Sequence, residues 1–143
     1  MSRGDLVLAA IQYYGQKAVP GNASNPLVVG FFQKAGHPEI ASDEIPWCSA
    51  FLNAICAQIG APQSRSLLAS SWLKVGRGVA APAFGDVVVF DWSKIGQTGG
   101  HVGIVISCFP GIVYVLGGNQ DNEVEIAAFQ TRAVAGYRRI IEE

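Results

Sequence analysis

"GRGVAAPAFG", residues 76 to 85, divides the chain into two halves of different character. Upstream the apolar residues recur at helical spacing, and downstream they cluster in short β-branched runs. "SRGDLVLAAIQYYG" (2–15) opens with Ser2 and carries Asp5 three positions on, the pattern of a capping box ahead of a first helix. "NASNPLVVGFFQKAG" (22–36) offers Asn25 as cap, Pro26 as first helical residue and Gly36 as stop, which predicts a second helix. "IPWCSAFLNAICAQIG" (45–60) repeats the pattern, with Pro46 at the start, Trp47, Phe51, Ile55 and Ile59 along one stripe and Gly60 at the end. "SRSLLASSWLKVG" (64–76) is a less patterned fourth helix. Beyond the hinge-like divider, "DVVVFDW", "HVGIVISC", "IVYVLGG", "EVEIAAF" and "VAGYRRII" read as five strands separated by Gly, Pro and Asn signals. Helices first and strands second predict an α+β domain, with one face of a roughly five-stranded antiparallel sheet packed on the helical layer.

The length of 143 residues predicts one domain spanning 1–143. Half the residues are apolar and 15% are charged, a composition far from that of a disordered chain. Ten basic and eleven acidic residues are scattered without runs, so nothing in the charge pattern points to nucleic acid or an anionic membrane surface. No apolar run approaches the roughly 18 residues of a membrane span, and the first residues lack the organisation of a signal peptide, so the expectation is synthesis in the cytoplasm without membrane insertion. Three cysteines without a C-x-x-C pair fit neither a disulfide framework nor a zinc site, and two histidines are too few for a His-rich metal cluster.

Cys48 falls in the first turn of the third predicted helix. There the unpaired backbone N–H groups and the positive end of the helix dipole favour a thiolate and could also bind an oxyanion. A cysteine in an apolar helix is equally a small buried hydrophobe. His101 follows two glycines in "TGGHVGIVIS" (98–107) and starts an apolar strand. In a helix-on-sheet domain that position can meet the start of a core helix, which is the requirement for an activated cysteine–histidine pair; otherwise it is a satisfied histidine at a sheet edge. In "VLGGNQDN" (115–122), Asn119 or Gln120 could bond the far imidazole nitrogen and fix its tautomer, or the segment is simply a turn.

Taken together, "DEIPWCSAF" (43–51), "FGDVVVFDW" (84–92), "GGHVGIVI" (99–106), "YVLGGNQ" (114–120) and "AGYRR" (135–139) resemble the CHAP and NlpC-type superfamily of cell-wall hydrolases, especially short phage and prophage members. The resemblance implies a papain-like α+β fold that hydrolyses an amide bond of peptidoglycan. It assigns Cys48 as nucleophile, His101 as general base and then acid, and Asn119 as the residue orienting the imidazole, with Gln120 in reserve. Many such proteins carry an acid two positions before that asparagine, where this chain has Gly117. Glu44, beside Asp43, is a candidate for binding a stem-peptide ammonium, or a solvated charge favoured by the helix start. Trp47 and Trp92 are candidates for lining the substrate groove with Gln120, although the spacing of Trp47 from Phe51 also suits the core. Asp86 reads as a turn-capping residue, Cys56 and Cys108 as structural, and His37 as an exposed loop residue. Two adjacent carboxylates fall short of the six to eight oxygens calcium takes, so neither metal nor cofactor is expected. The function expected is that of an endolysin or secreted lytic effector, monomeric, with an immunity protein as a partner in the effector case. The alternatives are an inactive wall-binding or phage structural domain, or a thiol-dependent deamidase or acyltransferase.

Overall fold

The computed structural model describes residues 1–19, 24–42 and 46–143. Three helices come first: α1 (Arg3–Ile11), α2 (Pro26–Lys34) and α3 (Cys48–Ile59). Six strands follow: β1 (Arg77–Val79), β2 (Val87–Asp91), β3 (Gly100–Phe109), β4 (Ile112–Gln120), β5 (Glu123–Gln130) and β6 (Val134–Arg139). They form one antiparallel sheet in the order β1-β6-β2-β3-β4-β5. The architecture is α+β, as its sequence pattern predicts. Among the described residues no helix is long and apolar enough to cross a membrane.

Local chemistry sets the helix ends. Ser2 and Asp5 close the capping box of α1, and the Asn25 side chain accepts a hydrogen bond from the Leu27 N–H at 2.9 Å ahead of Pro26. Gly60 ends α3 in the left-handed conformation, with φ of 73°. At the other end of α3, Pro46 lies outside the helix, and the capping residue is Trp47, which offers no side-chain hydrogen bond. The fourth expected helix is a 3-10 segment, Ala69–Lys74. Ser71 Oγ donates to the Leu68 carbonyl at 2.6 Å, a local bond that competes with regular helix.

The sheet has one strand more than expected. Arg77–Val79, within the divider, pairs with the last strand, Arg77 opposite Arg139 and Val79 opposite Tyr137. A three-residue edge strand draws its hydrogen bonds from β6 and needs no apolar pattern of its own. At its entrance Gly76 (φ 64°) lies so close to the Arg139 carbonyl that a Cβ there would collide with it.

Both faces of the sheet are covered. Val87, Val89, Val102, Ile104 and Leu116 pack toward the helices, while Val88, Phe90, Val105, Val113 and Val115 form a second core on the opposite face. That division explains the unbroken apolarity of 87–90, because successive side chains of β2 enter different cores. Nine consecutive residues of α3, Cys48 to Cys56, are buried between the sheet and the other helices. The buried polar groups among them are satisfied by the loop 64–66. Ser49 Oγ donates to the Ser66 carbonyl at 2.6 Å and accepts from Trp72 Nε1 at 2.9 Å, and Asn53 Oδ1 accepts from the Arg65 N–H at 2.9 Å.

Asp86, immediately before β2, joins three distant segments. Its carboxylate receives two hydrogen bonds from the Arg139 guanidinium, both 2.8 Å, and one from the Ala83 N–H at 2.7 Å, with Arg3 Nε 3.9 Å away. Burial raises its pKa, but these hydrogen bonds and the two guanidinium charges outweigh burial and hold it below the usual carboxylate value. Because the folded pKa is the depressed one, the stabilisation is complete at neutral pH and is lost as pH falls below about 4. Asp86→Ala, which leaves Arg139 unpaired, should cost about 3 kcal/mol in a denaturant titration, and Asp86→Asn should flatten the acid limb of stability against pH.

Candidate active site

Cys48 is the first residue of α3, 8% exposed, and the absence of a side-chain cap leaves the first-turn N–H groups available. Burial pushes the Cys48 thiol up. The hydrogen bond and charge of His101, with the backbone N–H groups of Val102 and Ser49, pull it further down, and the net result lies below an ordinary thiol. His101 is the second residue of β3, opposite Phe90 on β2, and is 7% exposed. Its ring lies among those of Phe90, Trp92 and Phe129, with centroids 6.0, 6.4 and 5.4 Å away. Burial pushes its pKa down, but the hydrogen bond and charge of Cys48 and the hydrogen bond of Gln120 carry it above the usual histidine value. Sulfur down and imidazole up are both shifts toward a thiolate–imidazolium pair.

The imidazole Nε2 lies 2.9 Å from Gln120 Oε1. Gln120 Nε2 donates to the carbonyls of Val115 at 3.0 Å and Glu125 at 2.9 Å, so the amide can only turn its oxygen toward the ring. Nε2 therefore carries a proton, and Nδ1 is left for the sulfur.

The hydrogen bond expected from Asn119 is thus made by Gln120. The reason is a β-bulge. Gly117 pairs with Glu125 and Gln120 with Glu123, so Gly118 and Asn119 together oppose Val124 alone. Strict alternation would place residues 117 and 119 on one face. The extra residue, taken up at Asn119 with φ of 58°, moves Gln120 onto that face instead. Gly117 makes room, since a Cβ there would collide with Gln120 Oε1 and come within 3.4 Å of His101 Nε2. Gly118 lets the strand approach α3, where a Cβ would stand 2.7 Å from that of Phe51.

Other expected site residues separate. Asn119 and Trp92 line a cleft of about 440 Å³ together with Cys48 and His101. Gln120 also lines it but, with its amide committed to His101 and two carbonyls and only 4% exposed, it has no capacity for substrate. Trp47 is fully buried and stacked on Phe31, centroids 6.0 Å apart, so the groove-lining role gives way to core packing. Glu44 and Asp43 lie outside the described residues. His37 bonds Glu39 and the Arg65 carbonyl away from the cleft. Cys56 is buried with its thiol pushed up to about 12, while Cys108 is exposed at the far end of β3. The Val102 N–H, Phe129, Asp121 and Glu125 were not legible as site members, because backbone donors and cleft walls leave no residue-type signal. Among the described residues no group of three or more His, Cys, Asp or Glu is placed to hold a metal.

Alkylation by iodoacetamide, mapped by peptide mass, should show Cys48 reacting with a midpoint below the ordinary thiol value of about 8.5. His101→Ala should carry that midpoint above it, because burial stays and the lowering partner is gone. Gly117→Ala should raise it in the same direction by displacing Gln120.

The CHAP domain family matches residues 40–119, more than half of the chain. In fold the chain is similar to an NlpC/P60 family protein from Bacillus cereus ATCC 10987 (19% identity, TM-score 0.61) and to a lipoprotein-like NLP/P60 family protein from Staphylococcus aureus subsp. aureus Mu50 (18% identity, TM-score 0.53). Each alignment covers 99% of this chain but 41% and 42% of the other, so the chain spans about two fifths of their length. No curated protein matches it closely enough to count as a relative. The fold is papain-like, the matched span carries Cys48, His101 and most of the bulge, and the chain belongs to the CHAP family, whose members are in general cysteine peptidases or amidases of the cell wall.

Proposed function

We propose that this protein hydrolyses an amide bond of the peptidoglycan stem peptide, either the muramoyl-L-alanine amide or a peptide bond, through an acyl-enzyme on Cys48. The observation that supports this most is the buried line Cys48–His101–Gln120, in which each group fixes the proton position of the next. The thiolate attacks the carbonyl carbon, and the developing oxyanion meets the uncapped first-turn N–H groups of α3. The imidazolium gives its proton to the leaving nitrogen, the C–N bond breaks, and an acyl thioester remains on sulfur. His101, now neutral, takes a proton from water, the resulting hydroxide attacks the thioester, and the pair is restored. Gln120 stabilises the imidazolium and holds the ring in the productive tautomer without itself changing charge. In this reading the chain is an endolysin or a lytic effector, made in the cytoplasm and acting as a monomeric catalytic domain on the wall after holin release or secretion, with an immunity protein as the effector's partner.

Purified sacculi treated with each variant, followed by mass spectrometry of the soluble fragments, test the assignment. Cys48→Ala should lower the rate by about four orders of magnitude or more. Gln120→Ala, which removes one buried hydrogen bond, should cost about tenfold or more, and Asn119→Ala much less. Equal fragment release by wild type and Cys48→Ala would overturn the proposal and favour a binding module.

A further inference from the structure

Two cavities meet at Cys48. They share Pro46, Cys48, Gly99 and Gly100 and then diverge. The first, of about 440 Å³, continues past His101 to Asp121, Glu125 and Phe129. The second, of about 480 Å³, runs over Leu67, Leu68 and Ala69 toward Phe90 and Ala135 and does not include His101. The saddle between them is bare because a Cβ on Gly100 would stand 2.7 Å from the Phe90 carbonyl oxygen. The result is a trough that crosses the nucleophile, each arm large enough for a residue-sized group.

The position of the imidazole gives this trough a direction. A scissile amide has a carbonyl half, which stays on sulfur, and an amine half, which leaves with a proton from His101. The leaving nitrogen must face the group that protonates it. We infer that the substrate lies with its amine half in the cavity of His101, Asp121, Glu125 and Phe129 and its carbonyl half over Leu67, Leu68 and Ala69; this rests on Cys48 being the nucleophile.

The two arms differ in chemistry. The carbonyl arm is mostly apolar; its lining holds Ser70 and one carboxylate, Asp91, which already accepts hydrogen bonds from the Ser93 N–H and Oγ. Its wall is anchored to α3 through the Ser66 carbonyl, which takes hydrogen bonds from Ser49 and Asn53. It suits an uncharged acyl group. The amine arm is lined by no Lys or Arg among the described residues, but by two carboxylates and the aromatic Trp92 and Phe129. Burial, Glu123 and Asp121 raise the pKa of Glu125 while Lys17, paired with Glu123 at 3.4 Å, lowers it, so carboxylates are crowded on this side of the cleft. Carboxylates with aromatic faces suit a leaving amine that carries a second, positively charged group. Once that half departs, its cavity is the route by which water, or another amine, reaches the thioester.

Acceptor partition tests this directly. Soluble muropeptides are mixed with the enzyme at mildly alkaline pH together with 1,5-diaminopentane or pentylamine, and the aminolysis products and the Cys48 adduct are quantified by mass spectrometry. The free amine attacks the thioester, loses a proton to His101 and forms a new amide as the thiolate leaves. The diamine, which retains a distal cation, should intercept the acyl-enzyme about fivefold better than the monoamine. Asp121→Asn with Glu125→Gln should bring that ratio near one. Leu68→Glu, at an exposed position, should slow both acylation and deacylation and leave the ratio unchanged. The adduct mass should correspond to the carbonyl half in every case. A ratio that responds to Leu68→Glu but not to the carboxylate pair would overturn the direction proposed. An equal preference for both amines in the wild type, measured without any variant, would overturn the cationic specificity. Hydrolysis without any Cys48 adduct would instead overturn the nucleophile assignment beneath the inference.

Discussion

Nine buried residues in succession leave α3 without a solvent face from Cys48 to Cys56, and this constraint positions everything at the site. A helix enclosed by the sheet, by α1 and α2 and by the loop 64–66 cannot slide or rotate without breaking the Ser49 and Asn53 hydrogen bonds and the Phe31, Trp47 and Phe51 packing. Its first residue is therefore held against the start of β3. A cysteine at that place sits where the backbone presents donors rather than acceptors, and the donors of Ser49 and Val102 both reach the sulfur. Packing alone, with no special loop, holds the proposed nucleophile against His101.

Two opposing effects then set the charge on the pair. Removing a thiolate and an imidazolium from water disfavours both, and burial is the largest single influence on each. Their mutual attraction, the backbone donors at sulfur and the Gln120 oxygen at Nε2 together outweigh burial in the direction of each shift, the thiol moving down and the imidazole up. Cys56, one helical stretch further on and without such partners, shows the contrast, since burial there acts unopposed. The same residue type is thus shifted in opposite directions according to what faces it.

The local parts of this protein were legible in its sequence. Capping residues at Ser2 and Asn25, the glycine at 60 and the β-branched runs after residue 85 act on their immediate neighbours, so the helices, five of the strands and the α+β class follow from short-range chemistry. The positions of Cys48 at a helix start and His101 at a strand start were legible as well, while their pairing as a candidate site came from the family resemblance, since position alone left core packing and a sheet-edge histidine open. The sixth strand was not, because three residues at a sheet edge owe their conformation to β6, about sixty positions away.

The third member of the site marks where the sequence stops and tertiary structure takes over. From residue types Asn119 and Gln120 are both possible partners for His101, and the family resemblance assigns Asn119 with Gln120 in reserve. Pairing with β5 inserts a bulge between Gly117 and Gln120, reverses the alternation and turns Gln120 inward, where bare Gly117 leaves space for its amide. In the same way Trp47 became core and the wall of Leu67 to Ala69 became part of a trough through contacts made by distant segments. The sequence by itself determined the helices, most of the strands and the residue types able to do the chemistry, since these depend on neighbours along the chain. Which of those residues meet, on which face and beside which cavity, only the tertiary structure decided, because register and burial are properties of paired and packed elements.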